Sequence, residues 1–252
     1  VMLASYVLTP SEKDYEVFKL GSSHEISVPQ VDLDESLKPF EKIIQQVYVV
    51  SQLAPILKEE IKANNQSKLL TKIEQPLSKV LASMENIGFL IDRQGLEKYS
   101  DEIEIELKKI EASIHNLAGE EFNVNSPRQL GNILFEKLKL PHGKKGKTRY
   151  STNAQILEKL SGEHKIVDEI LKYRSLSKLK STYCDGIIKL IQSDGRIRSS
   201  FNQTETRTGR ISSSEPNLQN IPVRTEKGRQ LRKFFKAREG CVLIDADYSQ
   251  IE

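Results

Sequence analysis

Two aspartates near the end of the chain are the residues best suited to chemistry. Asp245 and Asp247 follow the apolar residues 242–244, and residues two apart on a strand point to the same side. A carboxylate beside buried apolar residues needs a cation or a donor, and oxygen ligands suit Mg²⁺. The pattern therefore indicates a magnesium site, although Asp-x-Asp also occurs in turns. A two-metal site needs carboxylates from more than one segment, and no comparable acidic segment occurs upstream, so we expect an incomplete site.

The stretch 204–224, TETRTGRISSSEPNLQNIPVR, is rich in side-chain donors and poor in apolar residues. A polar loop of this length must be held by a bound partner or by side-chain hydrogen bonds. Gly209 removes bulk beside Arg210, which would let the backbone approach a partner. Such donors can reach the minor-groove acceptors that correct base pairs share, so the stretch predicts DNA contact, with a structural polar loop as the alternative. Its donor residues are Arg207, Arg210, Asn217, Gln219, Asn220 and Arg224.

Positive charge is concentrated in the second half of the chain. The formal net charge is −7 over residues 1–138, +13 over 139–240 and −3 over 241–252, although the whole chain carries only +3. Lys and Arg that neutralise phosphates release counterions, so this asymmetry favours a nucleic-acid surface. A solvated lysine-rich face or a mobile basic loop is the alternative. The predicted phosphate contacts are Lys144, Lys145, Lys147 and Arg149 in a glycine-containing loop, and Lys178 and Lys180 on a basic helix.

Composition excludes several classes of protein. With 37% hydrophobic residues in 252, the chain can bury a core and form one to three domains. No apolar run approaches membrane-spanning length and no secretory signal is recognisable at the start, which favours a cytoplasmic location. The two cysteines are far apart in sequence and the four histidines show no ligand spacing, so neither a disulfide framework nor a zinc site is expected.

Hydrophobic periodicity predicts a mostly helical chain. Helices are expected at 40–61, at 74–88 with Pro76 in its first turn and Gly88 at its end, at 96–119 and at 164–191. The second of these would have an apolar face, made of Leu77, Val80, Leu81 and Met84. The third would have an apolar stripe at steps of three and four, made of Leu96, Tyr99, Ile103, Leu107, Ile110, Ile114 and Leu117. Capping boxes predict two short helices, one capped by Ser126 with Gln129 and one by Thr152 with Gln155. A basic helix is expected at 226–238. Alternation at 196–203 predicts a strand, and the apolar residues 242–244 predict a strand buried on both faces.

Several quoted segments resemble the family A DNA polymerases. DYSQIE at 247–252 resembles motif A of that family, and TGRISSSEPNLQNIPVR at 208–224 resembles the segment preceding it. The segments 172–183, 122–138 and 74–92 look like the family's thumb. Residues 1–71 resemble more loosely the end of the exonuclease-like domain. No aspartate occurs between Glu41 and Lys58, where a proofreading domain would have one, so that segment looks like an inactive relic.

The resemblance implies an α+β, mostly helical fold with three parts. Residues 1–71 would be the C-terminal part of an inactive 3′–5′ exonuclease-like domain, 72–195 the thumb, and 196–252 the start of the palm through motif A. The finger helix and the second catalytic aspartate would lie beyond residue 252. We therefore expect that the chain does not polymerise DNA alone.

The resemblance also implies residue roles. Asp247 would coordinate Mg²⁺ with help from the Tyr248 carbonyl, and Glu252 would exclude a ribose 2′-hydroxyl. Arg210 would contact the minor groove at the primer terminus; Asp245 matches no functional position. The remaining implied contacts are Asn217, Gln219 and Asn220 to primer–template DNA, and Arg224 and Gln250 to the incoming nucleotide.

The implied activity is template-directed addition of deoxynucleotides to a primer 3′-hydroxyl, in DNA replication and repair. Primer–template DNA and deoxynucleoside triphosphates would be the partners of a monomer that needs no membrane. A non-catalytic DNA-binding module of natural length is the alternative, which predicts salt-sensitive duplex binding without a metal requirement. A metal-dependent nuclease using Asp245 and Asp247 is a third hypothesis, and it predicts cleavage by this chain alone.

Overall fold

The computed structural model describes residues 1–30, 37–141, 150–223 and 225–247, and there the chain is mostly helical with short strands, as predicted. The α-helices are α1 (Met2–Leu8), α2 (Val17–Ser23), α3 (Glu41–Ala63), α4 (Ser67–Leu69), α5 (Gln75–Ile87), α6 (Arg93–Ala118), α7 (Pro127–Gly131), α8 (Ala154–Lys159), α9 (Lys165–Lys178), α10 (Gly186–Leu190) and α11 (Glu226–Leu231). The strands are β1 (Phe89–Ile91), β2 (Arg196–Ile197), β3 (Ser200–Asn202), β4 (Ser212–Ser214) and β5 (Phe235–Lys236). The π-helical segments are Leu70–Glu74, Asn132–Lys137 and Leu179–Asp185, and the 3₁₀ turns are Lys38–Phe40, Leu218–Asn220 and Arg232–Phe234.

The chain divides into two compact units, each built from separate stretches. The first unit contains Val1–Gly88 and Arg198–Asn220, and the second contains Phe89–Ile197 and Ile221–Glu252. The predicted division at residues 71 and 195 separates an exonuclease-like domain, a thumb and a palm. Compact units do not test such functional domains, so this division stays a prediction.

Helices α1, α2 and α3 form the core of the first unit. Val49, Leu53, Leu57 and Ile61 recur every four residues on α3 and are almost fully buried, because this spacing places them on one helix face. The helix predicted at 40–61 is therefore confirmed.

Helix α5 begins and ends as predicted. Pro76 lies in its first turn, and Gly88 ends it with a φ of +61°, a conformation that favours glycine. On the apolar face predicted for this helix, only Leu81 is buried, while Val80 and Met84 are 55% and 41% exposed. The described part of the first unit does not cover that face.

Helix α6 packs against α9 in the second unit. The predicted stripe is buried at Leu96, Tyr99, Ile103, Leu107, Ile110 and Ile114. Asp92 caps its start by accepting a hydrogen bond from Gly95 N at 2.9 Å, and Gly119 ends it with a φ of +73°. Helical structure is continuous from Lys165 to Leu190 through α9, a π-helical segment and α10, which agrees with the predicted helix at 164–191.

The two predicted capping boxes differ from the structure. Ser126 accepts a hydrogen bond from Gln129 N at 3.4 Å, but the Gln129 side chain accepts from Asn123 N at 2.6 Å and does not close the box. The prediction for Thr152 was wrong, since Asn153 caps α8. Thr152 is buried instead, and its carbonyl accepts a hydrogen bond from Arg174 at 2.5 Å.

Short strands tie together distant parts of the second unit. Strand β1 pairs antiparallel with β2 and with β5, giving the order β2–β1–β5. The strand predicted at 196–203 is thus two strands, because β3 belongs to a separate hairpin with β4 in the first unit. The basic helix predicted at 226–238 ends at Leu231, and its last part forms a 3₁₀ turn and β5.

The described residues show whether a helix could cross a membrane and where the two cysteines lie. Within those ranges, no helix is long and apolar enough to cross a membrane. Cys184 is buried, Cys241 is exposed, and both are free thiols.

Candidate nucleic-acid interface

The predicted donor loop is a hairpin followed by a short turn. Strands β3 and β4 pair antiparallel with Phe201 opposite Ser213, and residues 203–211 form the connection between them. Arg207 and Arg210 are exposed on this connection. Gly209 has a φ of +75° and open space around its Cα, so the turn needs glycine for its backbone conformation. The arrangement presents two guanidinium groups on one exposed turn.

The second half of the loop carries the amide side chains. Asn217, Gln219 and Asn220 are all exposed around the 3₁₀ turn Leu218–Asn220. Gln219 Nε2 donates to the carbonyl of Ile211 at 2.6 Å, and Asn217 Oδ1 accepts from Gln219 N at 3.0 Å. The first of these bonds ties the amide turn to the residue beside Arg210.

A buried serine network, made of Ser199 and Ser213, holds the loop. The two hydroxyls lie 2.7 Å apart and are 4% and 3% exposed as residues. Ser199 Oγ also donates to the carbonyl of Pro216 at 2.7 Å, and Ser213 Oγ accepts from Leu218 N at 3.1 Å. These bonds connect the strands to the turn, so side-chain hydrogen bonds fix the shape of the loop.

The sequence alone does not show that Ser199 and Ser213 hold the loop. Three consecutive serines at 212–214 give no local signal for burial, because serine is usually exposed. Only the pairing of β3 with β4 brings the two hydroxyls together.

The predicted cations of the basic helix differ in their surroundings. Lys178 is exposed. Lys180 Nζ lies 2.8 Å from Asp185 Oδ2 and 3.6 Å from a Glu104 carboxylate oxygen. The hydrogen bond to Asp185 raises the pKa of Lys180 above its ordinary value. Two carboxylates therefore already neutralise Lys180, while Lys178 is accessible to an anion.

A second ion-pair cluster, also missed from the sequence, joins α6 to α11. Glu106 pairs with Lys227 and, at 3.7 Å, with Lys172. Tyr99 donates its hydroxyl hydrogen to the carbonyl of Lys227 at 2.8 Å. The hydrogen bond from Lys227 lowers the pKa of Glu106. No local signal could reveal this cluster, since Glu106 and Lys227 are 121 residues apart.

The strand predicted at 242–244 is wrong in the described structure. These residues form no strand, and Val242, Leu243 and Ile244 are 78%, 58% and 85% exposed. A strand buried on both faces needs neighbours, and no described strand pairs with this segment. Asp245 and Asp247 are consequently both exposed.

The described residues contain no group of three or more His, Cys, Asp or Glu side chains that could hold a metal ion. Asp247, the predicted magnesium ligand, belongs to no such group among these residues, and the nuclease hypothesis gains no third acidic group there beside Asp245 and Asp247. Eight predicted site residues lie outside the described ranges: Lys144, Lys145, Lys147, Arg149, Arg224, Tyr248, Gln250 and Glu252.

A family model and curated proteins match most of this chain's sequence. The family model for DNA polymerase family A matches residues 93–252. The chain is 48% identical over 253 residues to DNA polymerase I of Caldicellulosiruptor bescii, covering 100% of this chain and 29% of that protein. It is 42% identical over 265 residues to DNA polymerase I of Geobacillus stearothermophilus, of which it covers 30%. The chain therefore spans about 30% of the length of these curated relatives.

A solved structure has a similar fold. The POL domain of Pol1 from M. smegmatis, in complex with DNA primer-template and dNTP, superposes with a TM-score of 0.83 at 34% sequence identity. The similarity covers 95% of this chain and 41% of that one.

Proposed function

Because this chain belongs to DNA polymerase family A, we propose that it is the primer–template-contacting part of a DNA-directed DNA polymerase, with one catalytic aspartate. The observation that carries the proposal is the exposed donor set at Arg210, Asn217 and Gln219, which hydrogen bonds hold in a fixed loop. This loop lies within the stretch that the family model matches. The intact protein would extend a primer 3′-hydroxyl with deoxynucleotides during replication and repair, as a monomer in the cytoplasm.

The loop contacts primer–template DNA through donors. Minor-groove acceptors occupy similar places in all correct base pairs, so Arg210 and the amides of Asn217, Gln219 and Asn220 sense the shape of a pair without reading sequence. Contacts of this type position the duplex. Lys178 and the loop cations Lys144, Lys145, Lys147 and Arg149 contribute attraction to backbone phosphate, which makes binding salt-dependent.

The metal-binding part of the proposal rests on Asp247. Its exposed carboxylate offers the oxygen ligand that Mg²⁺ prefers, and the carbonyl of Tyr248 would be a second ligand. When bound, Mg²⁺ supplies charge neutralisation at the transferring phosphoryl group and a lowered pKa for the attacking hydroxyl. A two-metal site also needs a carboxylate from another segment, which the described residues do not offer. Glu252 would exclude the ribose 2′-hydroxyl, and Arg224 and Gln250 would contact the incoming triphosphate.

The test is replacement of Asp247 by alanine in the intact polymerase. We expect primer extension to be abolished while the affinity for primer–template DNA stays close to that of wild type, because the donor loop is unchanged. Asp245→Ala is the matched control, since Asp245 is also an exposed aspartate and lies two residues away. Primer extension by Asp247→Ala at the wild-type rate would exclude the catalytic role.

A further inference from the structure

Tyr6 connects the N-terminal core to the predicted DNA-contacting hairpin. Its ring is 4% exposed and packs edge-on against Tyr15, with ring centroids 6.0 Å apart. Both rings belong to the core that includes Val49 and Leu53 of α3. The Tyr6 hydroxyl donates to the carbonyl of Thr206 at 2.8 Å, across 200 residues of sequence. A rigid side chain anchored in the core thus reaches the connection between β3 and β4.

A second hydrogen bond links Thr206 to Arg210. The Thr206 hydroxyl donates to the carbonyl of Arg210 at 2.6 Å. Two consecutive hydrogen bonds therefore join the hydroxyl of Tyr6 to the backbone of the residue that presents the predicted primer contact. Gly209 beside it adopts a positive φ of +75°, a backbone conformation that glycine adopts more readily than residues with a side chain.

The other side of the hairpin is fixed to the helical segment 67–87. Gln203 Nε2 donates to the carbonyl and the carboxylate of Glu74, at 3.0 and 2.8 Å. Phe201 N donates to Glu85 Oε1 at 2.7 Å. The compact first unit accordingly contains Arg198–Asn220 together with Val1–Gly88. The hairpin is therefore supported on both sides by the N-terminal part of the chain.

We propose that the N-terminal segment, in which the sequence shows no catalytic residue, positions the Arg210 turn for contact with the primer terminus, with Tyr6 as the positioning residue. This inference rests on the proposed DNA contact of Arg210. A turn held in its binding conformation avoids the entropy cost of ordering when the duplex binds. The inactive exonuclease-like segment would thus contribute to primer binding through the hairpin that it supports.

The experiment compares Tyr6→Phe with Tyr15→Phe in the intact polymerase. Tyr6→Phe keeps the buried ring and removes only the donor to Thr206. Tyr15→Phe is the matched control, because Tyr15 lies in the same core and its hydroxyl bonds locally to the carbonyl of Thr9 at 2.7 Å. Three quantities are measured for each variant: the melting temperature, amide hydrogen exchange in residues 204–211 without DNA, and the Kd for a primer–template duplex.

We expect Tyr6→Phe to accelerate exchange at 204–211 and to weaken primer–template binding, each about fivefold, which corresponds to one hydrogen bond. Tyr15→Phe should leave both quantities at wild-type values. Wild-type exchange and affinity in Tyr6→Phe, or equal changes in both variants, would overturn the positioning role alone. Failure of the wild-type polymerase to bind primer–template DNA would instead refute the proposed function, and this proposal would fall with it.

Discussion

Replacing Ser213 by alanine removes one hydroxyl from the buried serine network without changing the backbone. In the wild type this oxygen lies 2.7 Å from Ser199 Oγ and accepts a hydrogen bond from Leu218 N at 3.1 Å. Ser199 keeps the carbonyls of Ser214 and Pro216 as acceptors, at 3.0 and 2.7 Å. The loss therefore falls mainly on the Leu218 N–H group, which has to open to water or stay unpaired.

The expected free-energy cost is that of one N–H donor, Leu218 N, left without an acceptor. A buried group that loses its partner costs about 1–3 kcal/mol, and the hydrogen bond of Leu218 N is partly buried. We therefore expect a cost near the lower limit, about 1 kcal/mol, which shifts the opening equilibrium of the loop about fivefold. The cavity left by one hydroxyl is small, so we expect little further loss from packing. The effect should be confined to the loop, because these bonds join Ser199, which precedes β3, to Ser213 of β4 and to the following turn at Pro216 and Leu218.

Hydrogen exchange at Leu218 and urea unfolding measure the local and the global effect. We expect the Leu218 amide to exchange at least about fivefold faster in Ser213→Ala. Ser200→Ala is the control, since it makes the same chemical change at an exposed serine of β3, where substitutions stay within about 0.5 kcal/mol. If Ser213→Ala and Ser200→Ala exchange at the same rate, the serine network does not hold the loop.

Three further outcomes are expected. The hydrogen bond from Lys227 lowers the pKa of Glu106, so its stabilisation is present above the unfolded pKa and is lost as the pH falls through the lowered pKa of the folded state; Glu106→Gln should flatten the acidic part of a urea-unfolding pH series, and an unchanged slope would refute the assignment. Burial raises the pKa of Cys184 to about 12, so iodoacetamide at about pH 8 should label only Cys241 in the folded chain, because the thiolate is the nucleophile; native labelling of both thiols, counted by mass, would contradict the buried site. Glu252→Ala in the intact polymerase should admit ribonucleotides during primer extension, and unchanged sugar discrimination would remove that role.

Local patterns predicted the helices well because their determinants are short-range. The α6 stripe from Leu96 to Ile114 is buried as expected, since spacing alone decides which side chains share a helix face. Gly119 ends that helix because the required left-handed backbone favours glycine. The choice of cap at α8 failed because Thr152 and Asn153 are neighbouring cap formers. Only the burial of Thr152 against Arg174 decides between them, and that contact is not local.

The strands and the residues that hold the donor loop were harder to predict, because both depend on partners distant in sequence. The apolar residues 242–244 have strand propensity, but no described strand pairs with them. The donor-rich composition of residues 204–224 predicted a polar loop, and its role in DNA contact stays a prediction. The family that the segment 208–224 resembles is confirmed by the comparisons. The groups that hold this loop, among them Ser199 and Tyr6, carry no motif. They become visible only where the fold brings them to the hairpin.

Hydrogen bonds within the chain fix the donor loop, residues 204–224, in the absence of DNA. This lowers the ordering cost of the proposed DNA contact. A loop with so few apolar residues would be disordered without a partner unless its polar groups bonded to one another. Gln219 already donates to the carbonyl of Ile211, and Thr206 to that of Arg210. In the proposed complex with a duplex, Gln219 would exchange one acceptor for another, which would change its free energy little. Exposed Arg210 would gain a partner without ordering the loop, so its contact would contribute more of its energy to binding.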